Sequence, residues 1–333
     1  MGGKYGYLTT VRQDGNSNAQ TESAKEFYTR FDFKGDDLFG LEWSGNVGAR
    51  YVQTDISAYG YQQNVETFED RGDNEVYYLR LSDAVAPVWG YNSYNNLLPS
   101  ANLSLNLNDE MMLRFAFSET MTRPSLSALN PSTNGFNPRK PNPTASAGNP
   151  KLKPYESQNF DVSYEWYYAD ASYISLAYFH KNTDNFVIFE NKLESFLPNQ
   201  VEWLVNRPRN NRAVSLDGIE AAVQHTFANG FGVQANYTYV KPFKEFDPFN
   251  PENSFGLIGL SDSANLVGFY EHNGLQIRVA YNWRDAYLQS MSGAAAQPET
   301  QEAYGQIHAS ASYELNDNVT LMLEGVNLTD SMR

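Results

Sequence analysis

At 333 residues with no cysteine, the chain has neither a disulfide framework nor a thiolate metal site. Its formal net charge of −15 argues against a nucleic-acid partner. Aromatic content is 14 %, with 23 tyrosines, yet no run of eighteen apolar residues exists. A membrane-crossing helix is therefore excluded, and strands apolar on one face only are not.

Residues 1–23, rich in Gly, Asn, Ser and Thr, read as loop, and no apolar stretch follows Met1 to make a signal peptide. Twelve alternating segments follow. Phe27, Phe31 and Phe33 alternate with Tyr28, Arg30 and Asp32. Leu41, Trp43, Val47, Ala49 and Tyr51 alternate with Glu42, Ser44, Asn46 and Arg50. Leu103, Leu105 and Leu107 oppose Asn102, Ser104 and Asn106, and then Leu113, Phe115 and Phe117 oppose Arg114 and Ser118. Phe160, Val162, Tyr164, Trp166 and Tyr168 oppose Asp161, Ser163 and Glu165. Ile174, Leu176 and Tyr178 form a less clean segment, with Tyr173 and Phe179 on the other side. Ile219, Ala221 and Val223 oppose Glu220 and Gln224, and Phe231 to Tyr239 repeats the pattern. Residues 263–270 are ambiguous. Leu275, Ile277, Val279, Tyr281 and Trp283 oppose Gln276, Arg278, Asn282 and Arg284. Ile307 to Tyr313 and Val319 to Leu323 complete the series.

Connections alternate as well. Short turns fall at residues 35–40, 108–110, 169–170, 228–230, 271–274 and 316–318. Long loops fall at 57–95, 123–155, 184–212, 241–257 and 285–302. A meander with tight turns on one edge and long loops on the other matches an outer-membrane barrel, with periplasmic turns and extracellular loops. Tyr239, Tyr281 and Trp283 then fall near the outer rim. Trp43, Tyr164, Trp166, Tyr168 and Tyr313 fall near the inner one, making two girdles. A soluble β-sandwich, whose apolar faces meet in a core, is the competing reading.

Three stretches carry a resemblance: GNPKLKPYES (Gly148 to Ser157), FSETMTRPSL (Phe117 to Leu126) and GVNLTD (Gly325 to Asp330). The chain resembles TonB-dependent outer-membrane receptors. SGNVGARYVQT (Ser44 to Thr54) and LLPSANLSLNL (Leu97 to Leu107) narrow this to the large type of Xanthomonas- and Caulobacter-like bacteria. The resemblance implies an all-β fold, a partial transmembrane antiparallel barrel with about 12 of about 22 strands. It makes residues 24–333 the C-terminal part of the barrel domain. The plug, the coupling box, the first strands and a last aromatic-ended strand would lie outside this chain. Implied partners are outer-membrane lipid and lipopolysaccharide, the plug, the inner-membrane TonB complex and a small-molecule solute. Arg123, Pro124, Gly148, Asn149, Pro150 and Pro154 carry over as architectural markers without chemistry.

Catalytic and metal chemistry find little support. His180, His225, His272 and His308 lie in separate segments without ligand spacing. Glu66, Glu69, Asp70, Asp73 and Glu75 offer oxygens for calcium but lack the spacing of a calcium loop, so a solvated surface is the simpler reading. Asp161 and Glu165 share a face as a glycosidase pair would, and a wet lumen wall explains them too. No cofactor and no enzymatic activity are expected.

Binding is what remains. Trp89, Tyr91 and Tyr94 in the first long loop, Asn134, Asn137 and Arg139 in the second, and Trp203, Asn206, Arg207, Arg209, Asn210 and Asn211 in the third suit sugar rings and hydroxyls. The arginines equally suit the carboxylates of an iron chelate. Tyrosine and asparagine also populate lipopolysaccharide-facing loops without any solute. Arg50, Arg114, Glu165, Glu220, Arg278 and Arg284 are expected to face the lumen. The reading is TonB-dependent uptake of a scarce solute, an oligosaccharide first. Its alternatives are an iron chelate, a passive barrel and a soluble carbohydrate-binding or carbohydrate-cleaving β-protein.

Overall fold

One-sided alternation builds one large sheet. The computed structural model describes residues 18–197, 202–242, 257–290 and 298–331, the side chains of 211 and 212 excepted. Its strands are β1 (Asn18–Leu38), β2 (Leu41–Glu69), β3 (Tyr78–Asn106), β4 (Met111–Thr122), β5 (Thr133–Asn137), β6 (Thr144–Ala147), β7 (Tyr155–Ala169) and β8 (Ser172–Glu194). They continue with β9 (Trp203–Thr226), β10 (Phe231–Pro242), β11 (Ser263–His272), β12 (Leu275–Arg284), β13 (Tyr287–Ser290), β14 (Glu299–Gln301), β15 (Tyr304–Asn316) and β16 (Val319–Gly325). A 3-10 turn covers Leu126–Leu129.

The main path runs β1-β2-β3-β4-β7-β8-β9-β10-β11-β12-β15-β16. Each of the twelve alternating segments supplies one of its strands. Off the path, β5 pairs β6, and β6 joins β9 in parallel. Tight turns close the lower edge. Phe39-Gly40 (φ 59° and 81°) and Asn273-Gly274 (φ 50° and 76°) are two-residue links with both residues left-handed. That conformation matches the twist of the flanking strands.

Register sorts the two faces. Ser104, Arg114, Ser163, Ala177, Glu220, Thr238, Ser263 and Arg284 stand side by side across the sheet. One residue along, Leu105, Leu113, Tyr164, Leu176, Ala221, Tyr237, Ala264 and Trp283 form the opposite row. Among the described residues nothing covers the apolar face: Leu176 is 52 % exposed, Ile219 46 % and Leu266 51 %. In a sandwich such residues would meet a second sheet. Here the apolar face is an outer wall and the polar face an inner one.

Aromatics mark the lower rim of the outer wall. Phe33 packs on Trp43 at 5.4 Å, Trp166 on Tyr168 at 5.2 Å, and Phe231 on Tyr270 at 4.7 Å. At the upper rim Asp217 stands on the apolar face opposite His180. It accepts hydrogen bonds from the Tyr178 hydroxyl (2.6 Å) and His180 Nδ1 (2.8 Å), so its charge is met beside the lipid. On the inner wall the Phe179 ring lies over Gly218 and the Phe269 ring over Gly232, where an added Cβ would collide with them.

Three expectations about loops are corrected. Residues 18–23, read as loop, belong to β1; residues 1–17 lie outside the described residues. Most of the first long loop, 57–95, is the upper half of β2 and β3. Much of 184–212 likewise belongs to β8 and β9. Above the lipid, neither face meets an apolar solvent, so the alternation fades while the hydrogen-bond ladder continues. The loops 241–257 and 285–302 lie partly outside the described residues.

Candidate functional site

The extracellular end is built by folding residues 123–154 back onto the inner face of two tall ribbons, β2–β3 and β8–β9. Leu129 and Leu152 are fully buried against Ile56, with Tyr94, Ala128 and Val187 around them. Arg123 begins the return, reaching Glu22 at 3.2 Å and Glu26 at 3.6 Å. The Gly148–Pro154 stretch is then tied down on both sides. Asn92 Nδ2 donates to the Leu152 carbonyl (2.9 Å), Asn149 Nδ2 to the Pro208 carbonyl (3.0 Å), and Asn210 Nδ2 to the Lys153 carbonyl (3.0 Å). Prolines deny this segment ladder donors, and side-chain amides replace the ladder. Gly148 lies where a Cβ would collide with the Asn130 carbonyl.

A second apolar cluster joins the ribbon tips. Val65 and Phe68 of β2 meet Ala145 and Ala147 of β6 and Trp203 and Val205 of β9. The Trp203 ring is 4.4 Å from Phe68, 5.3 Å from Phe136 and 6.1 Å from Phe196, centroid to centroid, and only 1 % exposed. At the tip of β2–β3, Lys140 pairs with Asp70 at 2.7 Å and donates to the Asp73 carbonyl at 2.6 Å. Asp73 in turn accepts from the backbone of Glu75 and Val76. These contacts hold the carboxyls of Asp70 and Asp73 below the ordinary carboxylate range, chiefly through the Lys140 hydrogen bond for Asp70 and the Glu75 amide for Asp73. The acidic run therefore serves the turn. Among the described residues no cluster of His, Asp or Glu is disposed to hold a metal ion.

The sequence-derived binding residues do not gather at one place. Trp203 is a core residue with its ring faces covered, a correction to its expected role as a stacking platform. Arg207 and Arg209 are engaged: Glu194 takes Arg207 through two bonds (3.0 and 2.9 Å) and Arg209 at 2.8 Å, while Arg207 Nη1 donates to the Gly148 carbonyl at 2.6 Å. Trp89 and Tyr91 stand in register with Tyr59 and Ser57 on the outer side of the wall, away from the lumen, and Tyr94 faces inward. Asn137 and Arg139 are exposed beside the β2–β3 tip, where Arg139 bridges Val76. The Asn211 side chain lies outside the described residues.

Arg50, Arg114, Glu165, Glu220, Arg278 and Arg284 all fall on the polar face. Arg114 pairs with Glu165 at 3.0 Å, Arg50 with Glu26 at 3.4 Å, and Arg278 donates to Gln234 at 3.2 Å. Arg284 donates to Ser261 (2.9 Å) and to the Gly259 carbonyl.

Clefts open between the folded-back loop and the ribbons, two of them against β8–β9. The larger, about 490 Å³, is lined by Asn130, Ser132, Asn134, Ser146 and Asn206, with Tyr155 and Phe189 as ring surfaces. The other, about 430 Å³, is basic on balance, with Lys151, Lys153, Lys192 and Arg209 among Asn149, Asn185 and Asn210, and with Glu190 paired to Lys192 at 2.9 Å. Most of these residues escaped the sequence reading. Their signal was the density of Asn and Ser on either side of the Gly-Asn-Pro stretch.

A polar-lined sheet, bare and apolar outside, with short turns below and a built recognition end above, defines a β-barrel membrane receptor. The family described as TonB dependent receptor-like, β-barrel, matches residues 2–328. The chain belongs to that family, whose members are barrels of the outer membrane. No curated protein matches it.

Among solved structures it is similar to the ferric enterobactin receptor of Pseudomonas aeruginosa in a single-substitution form (16 % identity, TM-score 0.58, 93 % of this chain and 49 % of that one). It is also similar to the ferric-catecholate import receptor of E. coli K12 (16 %, 0.62, 94 % and 41 %) and to a siderophore receptor of Acinetobacter baumannii (14 %, 0.56, 93 % and 51 %). At these identities the likeness is one of fold. The chain spans about half the length of those relatives or less.

Proposed function

We propose that this chain forms the barrel wall and the extracellular recognition part of a receptor that actively takes up a scarce solute. Solute would bind in the clefts above the lumen. A plug would hold the polar-walled passage shut until the inner-membrane TonB complex supplied the work. The observation that carries this reading is the 490 Å³ cleft, its neutral hydrogen-bonding groups and ring faces set directly above the polar face.

Its lining favours an uncharged polyhydroxylated solute, an oligosaccharide. Rings stack on pyranose faces, and Asn and Ser groups meet the hydroxyls. Neither Arg207 nor Arg209 lines that cleft, and the Glu194 carboxylate they share offsets one of their two charges. A second reading, an iron chelate, is favoured by the basic cleft, where Lys151 and Lys153 could meet an anionic ligand, and by what the solved relatives are said to bind.

Calorimetric titration of the detergent-solubilised receptor with neutral oligosaccharides and with ferric catecholates tests both. The first reading expects sugar binding that weakens about tenfold in Phe189→Ala with Asn134→Ala, the loss of one or two aromatic and hydrogen-bond contacts, and no response to Lys151→Gln with Lys153→Gln. The opposite pattern, with chelate as ligand, replaces it by the second. Binding of neither class sinks both.

A further inference from the structure

The outer side of the β1–β2–β3 wall does not end with the apolar belt. Register stacks five rows there, each two residues above the last. Phe27, Tyr51 and Leu97 form an apolar row, exposed by 70, 45 and 61 %. Above them come Lys25, Gln53 and Asn95, a cation beside two amides. Next are Ser23, Asp55 and Ser93, where the Ser93 hydroxyl donates to Asp55 at 2.8 Å. Thr21, Ser57 and Tyr91 follow, then Ala19, Tyr59 and Trp89.

Trp89 and Tyr91 are 57 and 65 % exposed, large rings open to the medium. Tyr59 and Trp89 stack at 5.0 Å, and the Trp89 and Tyr91 rings are parallel to within 2°. This orientation is fixed, because the alternate residues Thr54, Ile56 and Ala58 are buried on the inner side. Trp89 lies eight residues above Leu97, about 26 Å along the strand and about 20 Å above the belt at the usual tilt. At that height no acyl chain reaches the rings.

We propose that this face docks the phosphate and sugar parts of a lipopolysaccharide whose acyl chains lie against the belt below. The order of chemistries matches such a molecule from its foot upward: apolar row for acyl chains, Lys25 with amides for phosphate, two serine hydroxyls with the Asp55 carboxylate to meet sugar hydroxyls, then ring faces for pyranose rings. The surface is continuous with the lipid-facing wall, so its occupant is anchored in the same leaflet. Trp89 and Tyr91 thus act in glycolipid attachment and take no part in solute recognition. The inference rests on the outer-membrane family and not on which solute the clefts accept.

Native mass spectrometry of the delipidated receptor in detergent tests it, with core-bearing lipopolysaccharide and lipid A as the two probes. The wild type should bind the core-bearing form about tenfold more tightly, about 1.4 kcal/mol, through its two added ring contacts. Trp89→Ala with Tyr91→Ala should erase that preference and leave lipid A binding unchanged, whereas Trp89→Phe should keep it. Lys25→Gln should weaken both probes. Equal affinity of the wild type for the two probes overturns the proposal, as does a double variant that keeps the preference. So does a receptor dimer that the double variant dissociates with no change in glycolipid binding, since a second copy would then be the occupant.

Discussion

Glu194 holds two guanidinium groups and, through Arg207, the carbonyl at the head of the Gly148–Pro154 segment. The three side chains are 20–27 % exposed, so removing the carboxylate leaves two poorly hydrated cations facing each other. Glu194→Ala should loosen this anchor by about 1.5–3 kcal/mol, the range for charge-assisted bonds. Faster amide hydrogen exchange at residues 148–154, with unchanged exchange in the lower strands, is the expected readout. Trp203→Ala, a large-to-small change in a closed cluster, should cost the tip about 3–5 kcal/mol and expose residues 64–84 to protease.

Asp70 and Asp73 give the tip a pH dependence. Their carboxyls titrate below the unfolded value of 3.8, so their stabilising contribution is complete above that pH and is lost as pH falls through the depressed values. Pepsin should therefore cut at the β2–β3 tip more readily under strong acid, and Lys140→Met should reduce that sensitivity by removing most of the Asp70 share while leaving the Asp73 share, which backbone amides hold. These residues show where reading the sequence stops. Tryptophan and arginine serve sugar recognition and internal packing through the same chemistry, and only the partner distinguishes them. Trp203 has Phe68 and Arg207 has Glu194, residues far along the chain or across a hairpin without one-sided alternation.

At the scale of elements, the twelve crossing strands were legible because lipid on one side and water on the other impose period two on the composition. Leu176 lies near mid-belt on the outer face, Ser175 beside it on the inner. Leu176→Arg should cost about 2–4 kcal/mol, while Ser175→Arg should cost little; denaturant titration of the receptor in lipid vesicles separates the two. The tall halves of β2, β3, β8 and β9 were not legible, since their pairing is set by backbone bonds and by apolar contacts made at isolated positions such as Val65, Phe68 and Val205. The short β5, β6, β13 and β14 carry too few residues to show any period. Replacing residues 64–84 by a short turn should leave the crossing strands intact and uncover Trp203, seen as a red shift of its fluorescence.

For the whole molecule, the sheet order places β1 and β16 at its two ends, each with one hydrogen-bonded neighbour among the described residues. Lipid cannot satisfy such an edge. Residues 18–331 expressed by themselves are therefore expected to lack the heat-resistant, fast-migrating form of a closed barrel on gel electrophoresis, and a band of that kind would refute the two-edged description.

The ties among Phe68, Trp203, Leu152 and the Arg207–Glu194 pair bear also on how such a receptor changes its ligand over generations. A loop exchanged alone would arrive without the side chains that seat it, and its apolar residues would stand bare in water. Residues 57–95, 123–154 and 184–212 are thus a heritable unit: a lineage that acquires a new diet is expected to have replaced the three segments together, and a successful graft between receptors would carry all of them at once.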